Sequence, residues 1–389
     1  MTFSISNATV LLNNELIDTG LQIDNGSISA LIGDGLDATG YYVLPGIIDL
    51  HGDGFDRQIF PRPKAGFDQR RALRQIDLEL ASCGVTTAWL AHSWSWEGMK
   101  RSPKQAQHFA QTLQGYKPKS RTDLRLQIRL ETHICDMYDA LIEAIDQFGI
   151  DYLVFNNHLP EAKEMVDRND GSFQAWAAEI GRNADEHFAA FQMALSQEKD
   201  VPEFLEKSAR AFDQRGIRYG SHDDPDAQTR KAFSDLGAHI AEFPTTVAAA
   251  RAAHDLGNPV LMGAPNIVRG GSHSGNIAAI DLIRMGLCDV LVSDYYYPAL
   301  SQAAIKLWKD GECSLPQAWK MISTNAADVM GLETIGRIDQ GMRADLVFLN
   351  KETLEIDATL CRGQFSFVTG QIADRLMQYA QGNAQIAAQ

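Results

Sequence analysis

The 389-residue chain reads as an α/β protein: a (β/α)8 TIM-like barrel with a small β-sandwich domain built from both chain ends. Three observations predict this. Short apolar runs rich in β-branched residues alternate with helix-period segments through the middle of the chain. The two ends carry short alternating runs separated by turn residues instead. Several of the central runs stop abruptly in His, Asp or Glu, the residue types expected at the active face of a barrel. An open doubly wound sheet is the competing architecture, but no G-x-G-x-x-G follows a strand to support a nucleotide-binding version of it.

Residues 1–44 break into pieces such as Phe3-Ser4-Ile5 and Leu21-Gln22-Ile23, with Asn13-Asn14, Asp24-Asn25-Gly26 and Gly33-Asp34-Gly35 as turns. Such a sheet needs a partner. The segment from Gly336 through Gly341 to Leu346-Val347-Phe348-Leu349 repeats the same turn-and-strand texture. We expect 1–44 and 336–370 to pair into one domain, with the barrel, 45–335, inserted between them, and 371–389 to form a polar tail helix that frays.

The first barrel strand is the run Leu44 to Asp53, bounded in front by Pro45-Gly46 and ending in His51-Gly52-Asp53. Further strands are expected at 85–91, 126–132, 152–157, 217–221, 239–243, 259–262 and 289–293. Between them, Leu73, Ile76 and Leu80 share one helical face, as do Leu141, Ile145 and Phe148 before Gly149. Ile277, Ile280 and Ile283 start another helix after Ser274-Gly275. One connection, His158 to His222, spans 64 positions. It is helical in character around 160–215, and either a lid or an inert insertion fits it.

Composition narrows the function. A net charge of −15 argues against a nucleic-acid or anionic-membrane surface. The five cysteines are scattered, without a C-x-x-C pair, so reduced thiols are expected rather than disulfides or a zinc knuckle. Residues 1–10 lack a signal-peptide pattern, and no apolar run reaches membrane-spanning length. A cytoplasmic protein that forms a homo-oligomer is expected.

The chemistry is read from strand ends. His51 and Asp53 lie two apart and should project together. Glu131 and His133 end the third strand, His158 the fourth, His222 the fifth and Asp294 the eighth. One such residue is ordinarily structural. A set converging on one mouth is costly to desolvate unless cations compensate it. The mixed N/O set suits zinc, manganese or iron, not a thiolate site.

These residues carry a resemblance. Pro45-Gly46-x-x-Asp49-x-His51, the strand-end histidines, Ser293-Asp294 and the closing Gly341-x-x-Ala344-Asp345-Leu346-Val347 resemble the amidohydrolase superfamily. The runs Ser221-His222-Asp223-Asp224, Ala241-Glu242-Phe243-Pro244-Thr245-Thr246, the stretch from Met262 to Asn276, and Ser293-Asp294-Tyr295-Tyr296 look like its phosphonate-degradation branch. The likeness is strongest from Tyr219 to Tyr297 and weak from Lys163 to Lys207. His-x-Asp replaces the usual His-x-His on the first strand, as in that branch, and Asn157 precedes His158 where the branch has Asp.

The resemblance implies two divalent metal ions. His51 and Asp53 would hold one, His158 and His222 the other, with Glu131 bridging. Asp294 would touch a metal and take the proton from the attacking water; a pair of cations lowers the pKa of such a water. It further implies a small anionic sugar-phosphate substrate and release of pyrophosphate. Arg57, Arg62 and Lys64 after the first strand, and Arg269, His273, Ser274 and Asn276 in a glycine-rich loop, would bind its phosphates. His92 and His133 are expected to be structural or wall residues. Two other readings remain open: hydrolysis of a C–N bond, and an inactive barrel used as a scaffold.

Overall fold

In a computed structural model that describes residues 2–62, 65–271 and 275–387, both ends of the chain build one sheet. Its strands are β1 (Thr2–Leu12), β2 (Glu15–Asp24), β3 (Ser27–Ala30), β4 (Leu36–Asp37) and β5 (Tyr41–Pro45). The barrel strands follow: β6 (Ile47–Gly52), β7 (Val85–Trp94), β8 (Asp123–Glu131), β9 (Tyr152–Asn156), β10 (Arg218–His222), β11 (Ile240–Glu242), β12 (Val260–Gly263) and β13 (Val290–Val292). The sheet from the chain ends is completed by β14 (Leu346–Asn350), β15 (Ile356–Cys361) and β16 (Gln364–Val368).

The end sheet runs β16-β15-β14-β5-β1-β2-β3, with β4 beside β1. Strand β14 pairs antiparallel with β5, placing Val347 opposite Leu44. Residues far apart in sequence thereby share one core of Ile5, Val10, Leu21, Val43, Phe348 and Leu360. Ile372 of the tail helix Gly370–Ala387 is buried in the same core.

Strands β6 to β13 are parallel neighbours in chain order. Asp294 N–H donates to His51 O at 2.9 Å and Asp53 N–H to Asp294 O at 2.8 Å, joining the last strand's exit to the first strand's exit. Below this closure the buried Asp49 accepts from Ser293 N–H at 3.0 Å and from its hydroxyl at 2.6 Å. The closure selects the barrel over the open sheet. Leu126, Ile128 and Leu130 of β8 face the surrounding helices, while Ile48, Leu50, Trp89, Val154, Ile240 and Leu261 fill the lumen.

Strict alternation would turn Leu50 and His51 to opposite sides. The β6–β7 register shifts between Asp49 and Gly52, an irregularity of the kind that re-aims side chains near active sites. Both Leu50 and His51 therefore face inward.

Between β9 and β10 the long connection forms the helices Leu159–Arg168, Ser172–Glu179, Ala184–Ser196 and Val201–Gln214. Leu159, Ala162, Phe173 and Phe191 pack on Trp96 from the loop after β7. His187 is fully buried within this group, its ring 5.5 Å from Trp96, 5.2 Å from Trp176 and 4.8 Å from Phe173. Burial pulls its pKa down to about 4, so it is a neutral core residue.

Closure depends on the absence of a side chain at Gly52. A Cβ there would lie 2.6 Å from Asp49 Oδ2, 2.7 Å from Tyr297 Cε1 and 2.8 Å from Ser293 Oγ. Gly52→Ala is expected to cost ~1–3 kcal/mol through overpacking. Gly115→Ala, in a helix with open space around the new methyl, should stabilise by ~0.5–1 kcal/mol. Chemical denaturation of the two variants beside the parent measures both.

Candidate metal centre and active-site cavity

Three residues at strand exits hold a left-handed backbone conformation without being glycine: Asp223 after β10 (φ 60°), Phe243 after β11 (φ 51°) and Asp294 after β13 (φ 55°). Such geometry costs ~1–3 kcal/mol per residue and concentrates where side chains must be aimed. All three line a cavity of about 850 Å³ that also contains His51, Arg129, Asn156, His158, His222, Arg269 and Asn276.

Two groups of three ligand-type residues have their donor atoms within 4.8 Å of one another: His51, His222 and Glu242, and Glu97, Glu131 and His158. In the first, Glu242 is fully buried and accepts from His51 Nδ1 at 2.8 Å, Gln127 Nε2 at 2.6 Å and Tyr152 OH at 2.5 Å. His51 must carry its proton on Nδ1 to donate to this carboxylate. Its Nε2 lone pair is then free for a cation. The His222 ring lies 5.4 Å from that of His51, and Phe243 packs edge-on against both. Burial lowers the pKa of His222. Its Nδ1 is 2.8 Å from Asp223 Oδ2 but out of line for a hydrogen bond, and Nε2 has no partner among the described residues.

In the second group His158 Nδ1 lies 2.5 Å from Glu131 Oε1 and 3.3 Å from Glu97 Oε1. Burial opposes protonation of His158, yet the two carboxylates lift its pKa to about 10. The spot calls for positive charge, as a proton or as a cation. Glu131 also accepts from Asn156 Nδ2 at 2.8 Å. Asn157, the departure noted before His158, caps a helix instead: its Oδ1 accepts from Leu159 N–H at 3.1 Å.

Asp53 and Asp294 interact electrostatically with His51 and with each other. Burial, then the neighbouring Asp53 charge, raises the Asp294 carboxyl to about 7. The grouping differs from the one the resemblance implied, because His222 sits with His51 rather than with His158. The donor set fits divalent cations: imidazole and carboxylate ligands, with both ring nitrogens of the buried His222 unpartnered among the described residues.

The phosphate-binding expectations fare unevenly. Arg269 and Asn276 line the cavity, and Arg269 Nη1 donates to Tyr295 OH at 3.2 Å. Arg57 is turned aside to Glu79 at 2.5 Å and to Tyr295 O at 2.8 Å, and the exposed Arg62 is not part of the lining. Lys64, His273 and Ser274 lie outside the described residues. The helix expected from Ser274-Gly275 begins later, at Ala279–Arg284. Its Ala279 N–H is taken by Asn266 Oδ1 at 3.0 Å, and its buried face is Ala279 and Leu282. The His92 ring packs beside the stacked Phe55 and Phe109 rings, 6.0 Å from the first and 5.6 Å from the second, and His133 Nδ1 meets Thr132 Oγ1 at 2.8 Å.

Three residues of the site escaped sequence reasoning. Glu242 ends β11, so the strand-end rule that found its neighbours reaches it too. Arg129 was signalled by alternation: in β8 Leu126, Ile128 and Leu130 face outward, which leaves Gln127, Arg129 and Glu131 facing in. Glu97 had no signal. It lies in the loop after β7, held by Ser95 Oγ at 3.1 Å and Arg101 Nη1 at 2.7 Å.

If Glu242 fixes the His51 tautomer, Glu242→Gln should weaken divalent-metal affinity ~10–100-fold. Competition against a chromophoric chelator measures this, with circular dichroism as the folding control. Unchanged affinity in a folded variant would contradict the role.

A model of the amidohydrolase family matches residues 294–365. The chain is 32% identical over 367 residues to the alpha-D-ribose 1-methylphosphonate 5-triphosphate diphosphatase of Escherichia coli (strain K12), covering 90% of this chain and 95% of that protein. In fold it resembles the crystal structure of dihydropyrimidinase from Brevibacillus agri NCHU1002, with a TM-score of 0.61, 14% identity and 95% of each chain covered. It also resembles N-acetylglucosamine-6-phosphate deacetylase from Pasteurella multocida, with a TM-score of 0.61, 13% identity, and 94% of this chain and 99% of that one covered. The chain belongs to the amidohydrolase superfamily of metal-dependent hydrolases, on the phosphonate-metabolism branch that includes the E. coli diphosphatase.

Proposed function

We propose that this hydrolase cleaves a phosphoric anhydride, releasing pyrophosphate from alpha-D-ribose 1-methylphosphonate 5-triphosphate during phosphonate degradation. The observation that carries the reading is the pair of three-donor groups opening on one cavity with Asp294 at its edge, taken with the likeness to the E. coli diphosphatase.

Two divalent ions, zinc, manganese or iron, would be held by His51 and His222 with Asp53 and Asp294, and by Glu131 and His158. When bound they lower the pKa of a water and stabilise charge growing on phosphoryl oxygens. The chain's own residues do the rest. Glu242 and Glu97 orient His51 and His158. Asp294 accepts the proton of a water whose oxygen attacks the phosphorus nearest the ribose, as the bond from that phosphorus to the pyrophosphate oxygen breaks. Arg269 and Asn276 face the polyphosphate. The insertion contributes a wall to the same cavity through Pro160, Glu161 and Glu164. The five cysteines are free, and no described helix is long and apolar enough to cross a membrane.

The test is pyrophosphate release from ribosyl triphosphates by manganese- or zinc-loaded protein. Asp294→Asn should lower kcat by ~10²–10⁴-fold. Metal-loaded protein that leaves such triphosphates intact while hydrolysing a cyclic amide would transfer the assignment to C–N chemistry, for which Arg269→Ala should be nearly silent.

A further inference from the structure

We propose that Arg129 is a substrate-binding residue, whose guanidinium clasps a phosphoryl oxygen at the floor of the cavity. The inference deepens the diphosphatase reading and rests on it for the identity of the oxyanion.

A guanidinium presents five N–H donors in a rigid fork and no acceptor. The Arg129 side chain is 13% exposed, so water meets few of those donors. Among the described residues it makes no hydrogen bond, and its Nε is fully buried without a partner. The nearest carboxylate oxygen, Asp53 Oδ2, lies 3.6 Å from Nη1, too far for a hydrogen bond.

Other buried or half-buried arginines of this chain make side-chain hydrogen bonds, although Arg230 Nε is without a partner as Arg129 Nε is. Arg230 donates to Ser221 Oγ at 2.8 Å and to Asp224 Oδ2 and Ile240 O, each at 3.2 Å. Arg101 reaches Glu97 at 2.7 Å, and Arg343 reaches Thr87 Oγ1 at 2.9 Å. Arg129 is the contrast, and it is the one of these that lines the cavity. Leaving a buried charged donor unmade is expensive. Nε is shut off from the cavity, but the Nη donors are not among the fully buried atoms, and the acceptor they lack would come from what the cavity holds.

The chemistry of that acceptor is constrained. A planar fork matches two oxygens of one phosphoryl group bidentately. A neutral amide offers a single carbonyl oxygen and leaves most of the fork unsatisfied. Arg129 shares its strand face with Glu131, two residues on, and it acts electrostatically on His51, His222, Asp223 and Asp294. An oxyanion held there sits among the groups that carry out the reaction. Arg129 thus selects for phosphoryl over amide substrates.

The experiment titrates inorganic pyrophosphate into the full-length, metal-loaded protein with the divalent ion in excess, for the parent and for Arg129→Met and Arg129→Lys. Metal content and circular dichroism are recorded beside each titration. We expect Arg129→Met to bind pyrophosphate ~30-fold or more weakly with metal content unchanged. Arg129→Lys, which keeps the charge and loses the fork, should recover part of the affinity, and it carries the test if the methionine variant does not fold. Equal affinity in the folded variants would overturn the proposal, as would loss of metal together with pyrophosphate, which would make Arg129 part of the metal site's integrity. The two readings separate cleanly. Turnover of ribosyl triphosphates with Arg129 indifferent to pyrophosphate keeps the diphosphatase and removes this inference. Arg129-dependent pyrophosphate binding without that turnover does the reverse.

Discussion

The structure depends on one constraint: the exits of the first and last barrel strands are joined by backbone hydrogen bonds between Asp294 and the pair His51 and Asp53. Asp49 and Ser293, 244 positions apart, reinforce the join from below. Every residue of the candidate centre is placed relative to this seam. Because the join uses main-chain groups of the functional residues themselves, barrel closure and site assembly are one event. The tight space at Gly52 and the left-handed backbone of Asp294 are local costs of bringing two strand ends so close.

The seam creates an electrostatic problem that the rest of the site is arranged around. Asp53, Asp223 and Asp294 gather at one rim, and Glu97 and Glu131 at another, with Glu242 beneath. Some of this charge is neutralised internally: Arg101 serves Glu97, and Tyr152, Gln127 and His51 serve Glu242. Asp223 is served by His222 and Arg129, Glu131 by His158 and Asp53 by Arg129, but Asp294 is not, and its pKa and that of His158 are both raised, in opposite senses of charge. A carboxyl that resists losing its proton beside another carboxylate, and an imidazole that keeps one between two, both mark places where a cation is favoured.

The barrel was legible because its signals are local. Apolar runs of strand length, and helices ended by glycines such as the left-handed Gly149, need no tertiary knowledge. Strand ends were legible for the same reason, which is why His51, Glu131, His158, His222 and Asp294 were named from the sequence. Three things were not. The β6–β7 register shift breaks the two-residue period on which the His51–Asp53 argument relied. The partition of ligands between two groups depends on distances across the barrel, which strand order alone does not set. Glu97 arrives from a loop pinned by Arg101 and by Arg182, which donates to Glu97 O at 2.6 Å, and no periodicity announces a loop. The helix that begins at Ala279 is likewise tied by a tertiary contact, its first N–H being taken by Asn266.

The account stands on the two ligand groups being cation sites that share one cavity. Anomalous diffraction from crystals of the zinc- or manganese-loaded protein tests this most directly. The account predicts two peaks, one within coordination distance of His51 and His222 and one within coordination distance of Glu131 and His158. Peaks only at surface carboxylates, with both buried groups metal-free, would contradict it.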